Sequence, residues 1–163
     1  MENKRFEPFF DTLYPLILLI KKHLLSGYAG FESGGVTKAY FPLLVMLDIR
    51  GTLTMTEAAR NLGLSKPHMT LQVEKLVEES LIERLYDPGD RRSINVQLTK
   101  KGKEFVKNLK GIMKEKARRV FATLPDEELE KALDALVTLR RVMVKVEMEG
   151  RGAKESERPL AKR

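Results

Sequence analysis

Apolar side chains recur at helical spacing along the first part of the chain and predict a long amphipathic helix. The predicted helix spans about Phe6 to Leu25, and Pro15 inside it is expected to disturb the backbone hydrogen bonding. Its apolar positions are Phe6, Phe9, Phe10, Leu13, Leu16, Ile17, Ile20 and Leu24. The polar residues between them leave the opposite face to solvent.

A glycine-rich stretch from Gly27 to Gly35 predicts a loop after this helix. Thr37 is then the expected N-cap of a second helix, which runs to about Arg50 before Gly51 stops it. Residues 52–54 are compatible with a very short strand.

Two short helices separated by a glycine come next. Thr54 or Thr56 caps the first helix and Gly63 ends it, while Ser65 caps the second helix and Pro67 lies in its first turn. The second helix has one apolar face, which leaves its other face free. The residues of the apolar face are Met69, Val73, Leu76 and Val77. This is a helix-turn-helix pattern.

A β-hairpin pattern follows directly. The segments Leu81–Tyr86 and Ser93–Leu98 are predicted strands, and the turn residues of Asp87–Arg92 join them. Two longer helices complete the chain, one over about Thr99–Leu124 and one over about Pro125–Glu149. The pattern as a whole is mainly α-helical with one small hairpin.

Charge and composition narrow the possible partners. The 163 residues carry a net charge of +7, which favours a polyanionic partner, and nine bases against two acids lie between Lys100 and Arg119. That basic stretch is by default a solvated helix face, and only its first turn is expected near the hairpin. The absence of cysteine excludes disulfides and thiol-based redox switches. The apolar runs are too short to span a membrane, and the first residues lack signal-peptide features, so a cytoplasmic protein is expected.

The helix-turn-helix pattern and the hairpin together indicate binding to double-stranded DNA. The second helix can lie in the major groove while the hairpin tip, called a wing, enters the minor groove. Pro88 and Gly89 supply a short turn, and Arg91 and Arg92 supply cations that Asp90 can orient through an ion pair. The alternative is a solvated hairpin tip, and the helix-turn-helix directly before it favours the wing.

At this point the chain resembles the MarR-type (multiple antibiotic resistance) family of winged helix-turn-helix transcriptional regulators. The resemblance covers about residues 53–105. The matching segments are Met55–Ala59, Leu62–Pro67, Val73–Leu76, Leu81–Arg84, Asp87–Arg92 and Val96–Gly102. Two positions depart from the family pattern. Ser80 stands where a glycine often ends the recognition helix, and Gln72 replaces an apolar residue, which leaves the rotation of that helix open.

The resemblance implies a homodimer in which the terminal helices of the two chains intertwine. It divides the chain into dimerisation helices (1–36 and 99–149), a winged helix-turn-helix domain (37–98) and a flexible basic tail (150–163). The apolar terminal helices agree with this, because a small winged domain can hardly cover them alone. Two-fold symmetry predicts an imperfectly palindromic operator. The expected function is transcriptional regulation, usually repression in this family.

The candidate DNA contacts lie on the second helix and on the wing. Thr70 and His68 are candidates for base edges, Pro67 and Leu71 for thymine methyl groups, and Gln72 is a further candidate for the exposed face. The candidate phosphate contacts are Ser65, Lys66 and Lys75. On the wing, Arg92 matches the minor-groove arginine of the family, Asp90 orients it, and Arg91 is a phosphate contact or a solvated residue.

The family commonly releases DNA when a small aromatic or anionic effector binds where the dimer helices meet the winged domain. Candidate pocket residues by location are Tyr14, Lys22, His23, Tyr28, Tyr40 and Phe41. We expect no enzymatic activity, cofactor or metal, because neither a glycine-rich phosphate loop nor a histidine–carboxylate arrangement stands out. The alternatives are a winged-helix module for protein or RNA contacts, and a non-specific architectural DNA-binding protein.

Overall fold

The computed structural model describes residues 4–25, 36–86 and 94–156, with the side chains of residues 25 and 150–156 excepted. The chain divides into two compact units, Met1–Val120 and Phe121–Arg163. The elements of the first unit are α1 (Phe6–Ile20), a π-helical turn (Lys21–Leu25), a 3-10 turn (Lys38–Tyr40), α2 (Phe41–Arg50), β1 (Leu53–Thr54), α3 (Met55–Leu62), α4 (Lys66–Glu78), β2 (Ile82–Tyr86), β3 (Ile94–Leu98) and α5 (Lys100–Val120). The second unit contains α6 (Asp126–Ser156). The predicted fold class, mainly α-helical with a small antiparallel sheet, is confirmed.

The first helix is shorter than the predicted one. Helix α1 ends at Ile20, and the chain continues as a π-helical turn to Leu25 rather than as α-helix. Pro15 lies inside α1, as expected from the sequence. The predicted glycine loop, 27–35, lies outside the described residues. Helix α1 buries none of its side chains within the chain, although it carries a broad apolar face.

The start of the second helix also differs from the prediction. Thr37 has the extended backbone of an N-cap but makes no capping side-chain hydrogen bond, and it precedes a 3-10 turn rather than α2. Helix α2 itself starts at Phe41, with Pro42 in its first turn, where a missing N–H is tolerated. Gly51 ends α2 with φ of 76°, as the sequence predicted.

The last two helices have boundaries that differ from the sequence pattern. Helix α5 ends at Val120, and residues 121–124 form a turn, so the helix ends four residues earlier than predicted. Helix α6 continues to Ser156, past the end predicted near Glu149, so the first residues of the predicted tail are helical. Three acids in the first turn of α6 complement its helix dipole.

The sheet has three antiparallel strands in the order β1-β3-β2. β2 and β3 pair from Ile82 opposite Leu98 to Tyr86 opposite Ile94, and the two-residue β1 adds Leu53 opposite Val96. The hydrophobic core lies between this sheet and helices α2 to α5. Its largest fully buried side chains are Val36, Leu43, Leu44, Leu47, Met69, Val73, Leu76, Leu81, Ile82, Val96, Val106 and Leu109. This core holds the second helix of the helix-turn-helix against the hairpin.

Candidate nucleic-acid interface

The turn between α3 and α4 is built from local hydrogen bonds that the sequence signals. Thr54 and Glu57 form a reciprocal capping box at the start of α3, which decides between the two predicted caps. Gly63 ends α3 in the left-handed conformation (φ 64°), and the Leu64 N–H donates to the Ala59 carbonyl. Ala58 and Ala59 are buried, so the two helices can approach closely.

Helix α4 begins on the exposed surface of the domain. Ser65 caps it, with the His68 N–H donating to Ser65 Oγ over 3.4 Å, and Pro67 lies in the first turn. Thr70 Oγ1 donates to the Lys66 carbonyl at 3.0 Å, so this hydroxyl is already engaged within the helix. Ser65, Lys66, Pro67 and His68 are all exposed. A helix start with such groups can bind an anion such as a phosphate.

The two faces of α4 are sharply divided. Met69, Val73 and Leu76 are buried, whereas Leu71 on the opposite face is 61% exposed. Gln72 lies on the buried face at 4% exposure, and its Oε1 has no hydrogen-bond partner in the structure. The sequence interpretation that Gln72 belongs to the exposed face was therefore wrong. The helix is rotated so that Gln72 takes the place of an apolar core residue.

The second half of α4 carries acidic groups that are partly neutralised. Glu74 pairs with Arg84 of β2 at 3.8 Å, and Lys75 pairs with Glu78 at 3.3 Å and Glu79 at 3.5 Å. The hydrogen bond to Glu78 and the attraction of the two carboxylates raise the pKa of Lys75. Because these carboxylates repel phosphates, the exposed first two turns of α4 are the better surface for DNA.

The end of α4 is fixed by a turn in which Ser80 has φ of 58°. The Ser80 N–H donates to the Val77 carbonyl and the Leu81 N–H to the Leu76 carbonyl, which is a Schellman motif. Such a positive φ is the reason a glycine is favoured there, and Ser80 adopts it at a conformational cost.

The first turn of α5 braces this corner. Thr99 Oγ1 donates to the Ser80 carbonyl at 2.7 Å and accepts from the Gly102 N–H at 3.0 Å. Lys101 Nζ donates to the Glu79 carbonyl at 2.7 Å. A Cβ on Gly102 would overlap the Leu81 carbonyl oxygen, so only glycine allows α5 to come this close. The corner therefore ties α4, β2 and α5 together.

The wing connects two strands whose register is known. The last pair of the ladder is Tyr86 with Ile94, and residues 87–93 join them. Three predicted site residues, Asp90, Arg91 and Arg92, lie outside the described residues. The described part of the hairpin thus shows where the predicted wing starts and ends.

The candidate effector residues lie in different settings. Tyr14 is exposed on α1 and stacks on Phe10, with ring centroids 6.0 Å apart. Lys22 and His23 are exposed in the π-helical turn, Tyr40 is half-buried against the core, and Phe41 is buried with its ring edge-to-face to Phe105. Tyr28 lies outside the described residues.

Two further residues of β2, Arg84 and Tyr86, were not among the predicted site residues. Arg84 spans from β2 to Glu74, and its Nε is buried without a partner in the structure. Tyr86 is 67% exposed at the start of the wing. Both lie on the same face of β2 as buried Ile82, so a strand pattern alone assigns them to the core side. Within the described residues, no cluster of three or more potential ligands is placed to hold a metal, and no helix is long and apolar enough to cross a bilayer.

The fold and this surface define a winged helix-turn-helix protein, and comparisons with known proteins show what this part of the chain is similar to. The sequence model of the MarR family matches residues 36–94. The transcriptional repressor MdtR of Bacillus subtilis is 31% identical over 105 residues, 62% of this chain and 65% of MdtR. The matches to three regulators of Bacillus subtilis span only 62% to 65% of their lengths.

Solved structures show the same fold. The transcriptional regulator Tm0710 of Thermotoga maritima has a TM-score of 0.65 and 27% identity, covering 85% of this chain and 96% of that one. FabT of Streptococcus pneumoniae, solved in complex with DNA, has a TM-score of 0.60 and 17% identity, covering 89% and 99%. The match of residues 36–94 to the MarR family model agrees with the resemblance noted in the sequence. The curated relatives are transcriptional regulators by name, which is the class expected from the sequence.

Proposed function

We propose that this protein is a DNA-binding transcriptional regulator that reads DNA through the first two turns of α4. One observation carries the proposal: the start of α4 is exposed beside a hairpin, while the rest of that helix is held in the core or by ion pairs. The proposed contacts on α4 are Ser65, Lys66, Pro67, His68, Thr70 and Leu71. Lys75 contributes less, because its ammonium group is already paired with two glutamates.

The proposed wing contacts are Asp90, Arg91 and Arg92, and Arg92 is the minor-groove residue. The ladder that ends at Tyr86 and Ile94 supports this, because both strands that flank the predicted wing belong to the same domain as α4. That FabT has been solved with DNA is consistent with duplex DNA as the ligand of this fold.

The functional species is a homodimer that binds a palindromic operator. Apolar side chains on α1 and α6 remain exposed in the single chain, and a homodimer interface of a few thousand Å² would cover them. The protein acts as a repressor, which is the role given in the name of the relative MdtR. It acts in the cytoplasm. A small aromatic or anionic effector that contacts Tyr14, Lys22, His23 or Tyr40 releases the DNA.

The test is binding of purified protein to a 30-base-pair duplex from the promoter of its own gene. If about six phosphates are contacted, affinity falls by about 10^3-fold between 50 and 200 mM salt. A regulator also prefers its operator to scrambled duplex by about 10^3-fold or more. The Arg92→Ala variant binds more weakly while dimerisation and thermal unfolding stay unchanged.

Three outcomes count against the proposal. Absence of duplex binding favours a winged-helix module for protein or RNA contacts. Equal affinity for the promoter and scrambled duplexes indicates an architectural protein. Parent-like operator binding by Arg92→Ala contradicts the assignment of the wing.

A further inference from the structure

Tyr86 is the last residue of β2 and the most exposed aromatic side chain among the described residues, at 67%. It pairs with Ile94 across the final rung of the hairpin, so its backbone is held by the sheet. Contact between so large a ring and water is unfavourable, and a tyrosine buried on the core side of a sheet avoids it. The position of this ring relative to α4 therefore matters.

Strand alternation places Tyr86 on the side of the sheet that faces α4. Side chains two residues apart in a strand share a face, so Ile82, Arg84 and Tyr86 project from the same side. Ile82 is buried in the core, and Arg84 reaches Glu74 of α4 at 3.8 Å. Tyr86 thus projects to the helix side of the hairpin, although α4 does not cover it.

The contacts of β2 with α4 indicate the direction of the strand. The Leu81 N–H donates to the Leu76 carbonyl, and Arg84 reaches Glu74, so successive residues of this segment contact earlier residues of α4. Tyr86 is two residues beyond Arg84, or about 6.6 Å further along the strand. The strand therefore carries Tyr86 past Glu74 in the direction of the start of α4.

We propose that Tyr86 contacts the DNA backbone between the major groove read by α4 and the minor groove entered by the wing. Adjacent grooves of a duplex are separated by a sugar-phosphate strand, so a side chain between the two reading elements faces that strand. The tyrosine ring packs against a deoxyribose, and its hydroxyl donates a hydrogen bond to a phosphate oxygen. This inference rests on the proposed function.

The test compares Tyr86→Phe, Tyr86→Ala and the control Leu85→Ala on two duplexes. The first duplex is selected from a random pool by the parent protein, and the second is its scrambled sequence. Leu85 is the matched control because it neighbours Tyr86, is 37% exposed and projects from the opposite face of β2. Affinities come from fluorescence anisotropy at several salt concentrations, and thermal unfolding checks each fold.

Loss of the hydroxyl in Tyr86→Phe weakens binding about tenfold per half-site, as expected for a hydrogen bond to a charged group. Tyr86→Ala weakens binding further, because the ring contact is lost as well. Both variants lose affinity equally for the two duplexes, since the backbone is the same in each. The salt dependence is unchanged, because tyrosine contributes no charge. Leu85→Ala binds like the parent.

Parent-like binding by both Tyr86 variants overturns the proposed contact, as does a loss confined to the selected duplex, which would mean base reading. If Tyr86→Ala fails to fold, Tyr86→Phe still decides, because it retains the ring. Failure of the parent to bind either duplex contradicts the proposed function itself. These results separate an error about Tyr86 from an error about DNA binding.

Discussion

The winged domain and the terminal helices use their apolar residues in opposite ways. In the winged domain and the part of α5 that packs on it, the side chains of the core are almost completely buried, from Leu43 in α2 to Leu109 in α5. Helix α1 buries none of its side chains, and the apolar residues of α6 remain exposed, including Leu133 at 59%. The winged domain therefore has a buried core of its own, whereas the apolar faces of α1 and α6 are left exposed by the chain. The homodimer that we propose would cover these faces with a second copy of the chain.

The first prediction concerns the close contact between α5 and Leu81. Gly102→Ala places a methyl group against the Leu81 carbonyl, which must move away from α5. The expected loss of unfolding free energy is about 3 kcal/mol or more, at the upper end of overpacking effects. Chemical denaturation of the purified variant measures it.

The control for this variant is Gly111→Ala in the middle of the same helix. No atom lies within 4 Å of a Cβ added there, so the substitution removes only the conformational cost of glycine. It should stabilise the protein by about 1 kcal/mol. If Gly102→Ala were equally stabilising, the close approach of α5 to Leu81 would be refuted.

The second prediction concerns the proposed dimer contact of α6 and leaves the core of the winged domain unchanged. Leu133→Asp places a charge on the exposed apolar face of α6, where a dimer interface would have to bury it. Self-association should weaken by about 100-fold, corresponding to roughly 3 kcal/mol. Sedimentation equilibrium measures the dissociation constant of the dimer.

The matched control is Glu130→Ala, a substitution of an exposed polar residue on the same helix. It should leave the dimer intact. A monomeric parent protein, or a Leu133→Asp variant that dimerises as tightly as the parent, would contradict a role for α6 in self-association.

The prediction with the smallest expected effect concerns the turn at the end of α4. Ser80→Gly relieves the left-handed backbone at the end of α4 and keeps the carbonyl that accepts from Thr99. The folded state should gain up to about 1 kcal/mol, partly offset by the greater freedom of glycine in the unfolded chain. A rise in the denaturation midpoint checks this, while a clear fall would show that the Ser80 side chain makes a stabilising contact.

Local signals in the sequence are sufficient to predict most elements of the winged domain. The caps at Thr54 and Ser65 and the stop at Gly63 are chemical requirements of helix ends, so they could be read from neighbouring residues. The boundaries of α5 and α6 were less accurate, because their periodic patterns run on without a decisive stop.

The candidate site was predicted in outline, with errors that depend on rotation and register. Gln72 was misplaced because polarity suggested exposure, whereas the packing of Met69 and Leu76 turns that position inward. Tyr86 was missed because alternation along β2 assigns it to the core side. The structure shows instead that Tyr86, at the end of the strand, is exposed.

The contacts at the start of α5 have a mechanical consequence. Thr99 and Lys101 bond to backbone carbonyls at the end of α4, and Gly102 allows α5 to pack directly against Leu81. Helix α5 is about 31 Å long, so a displacement of about 3 Å at its far end corresponds to a tilt of about 5°. Because these contacts join α5 to the end of α4, such a tilt would be passed to α4 through the corner.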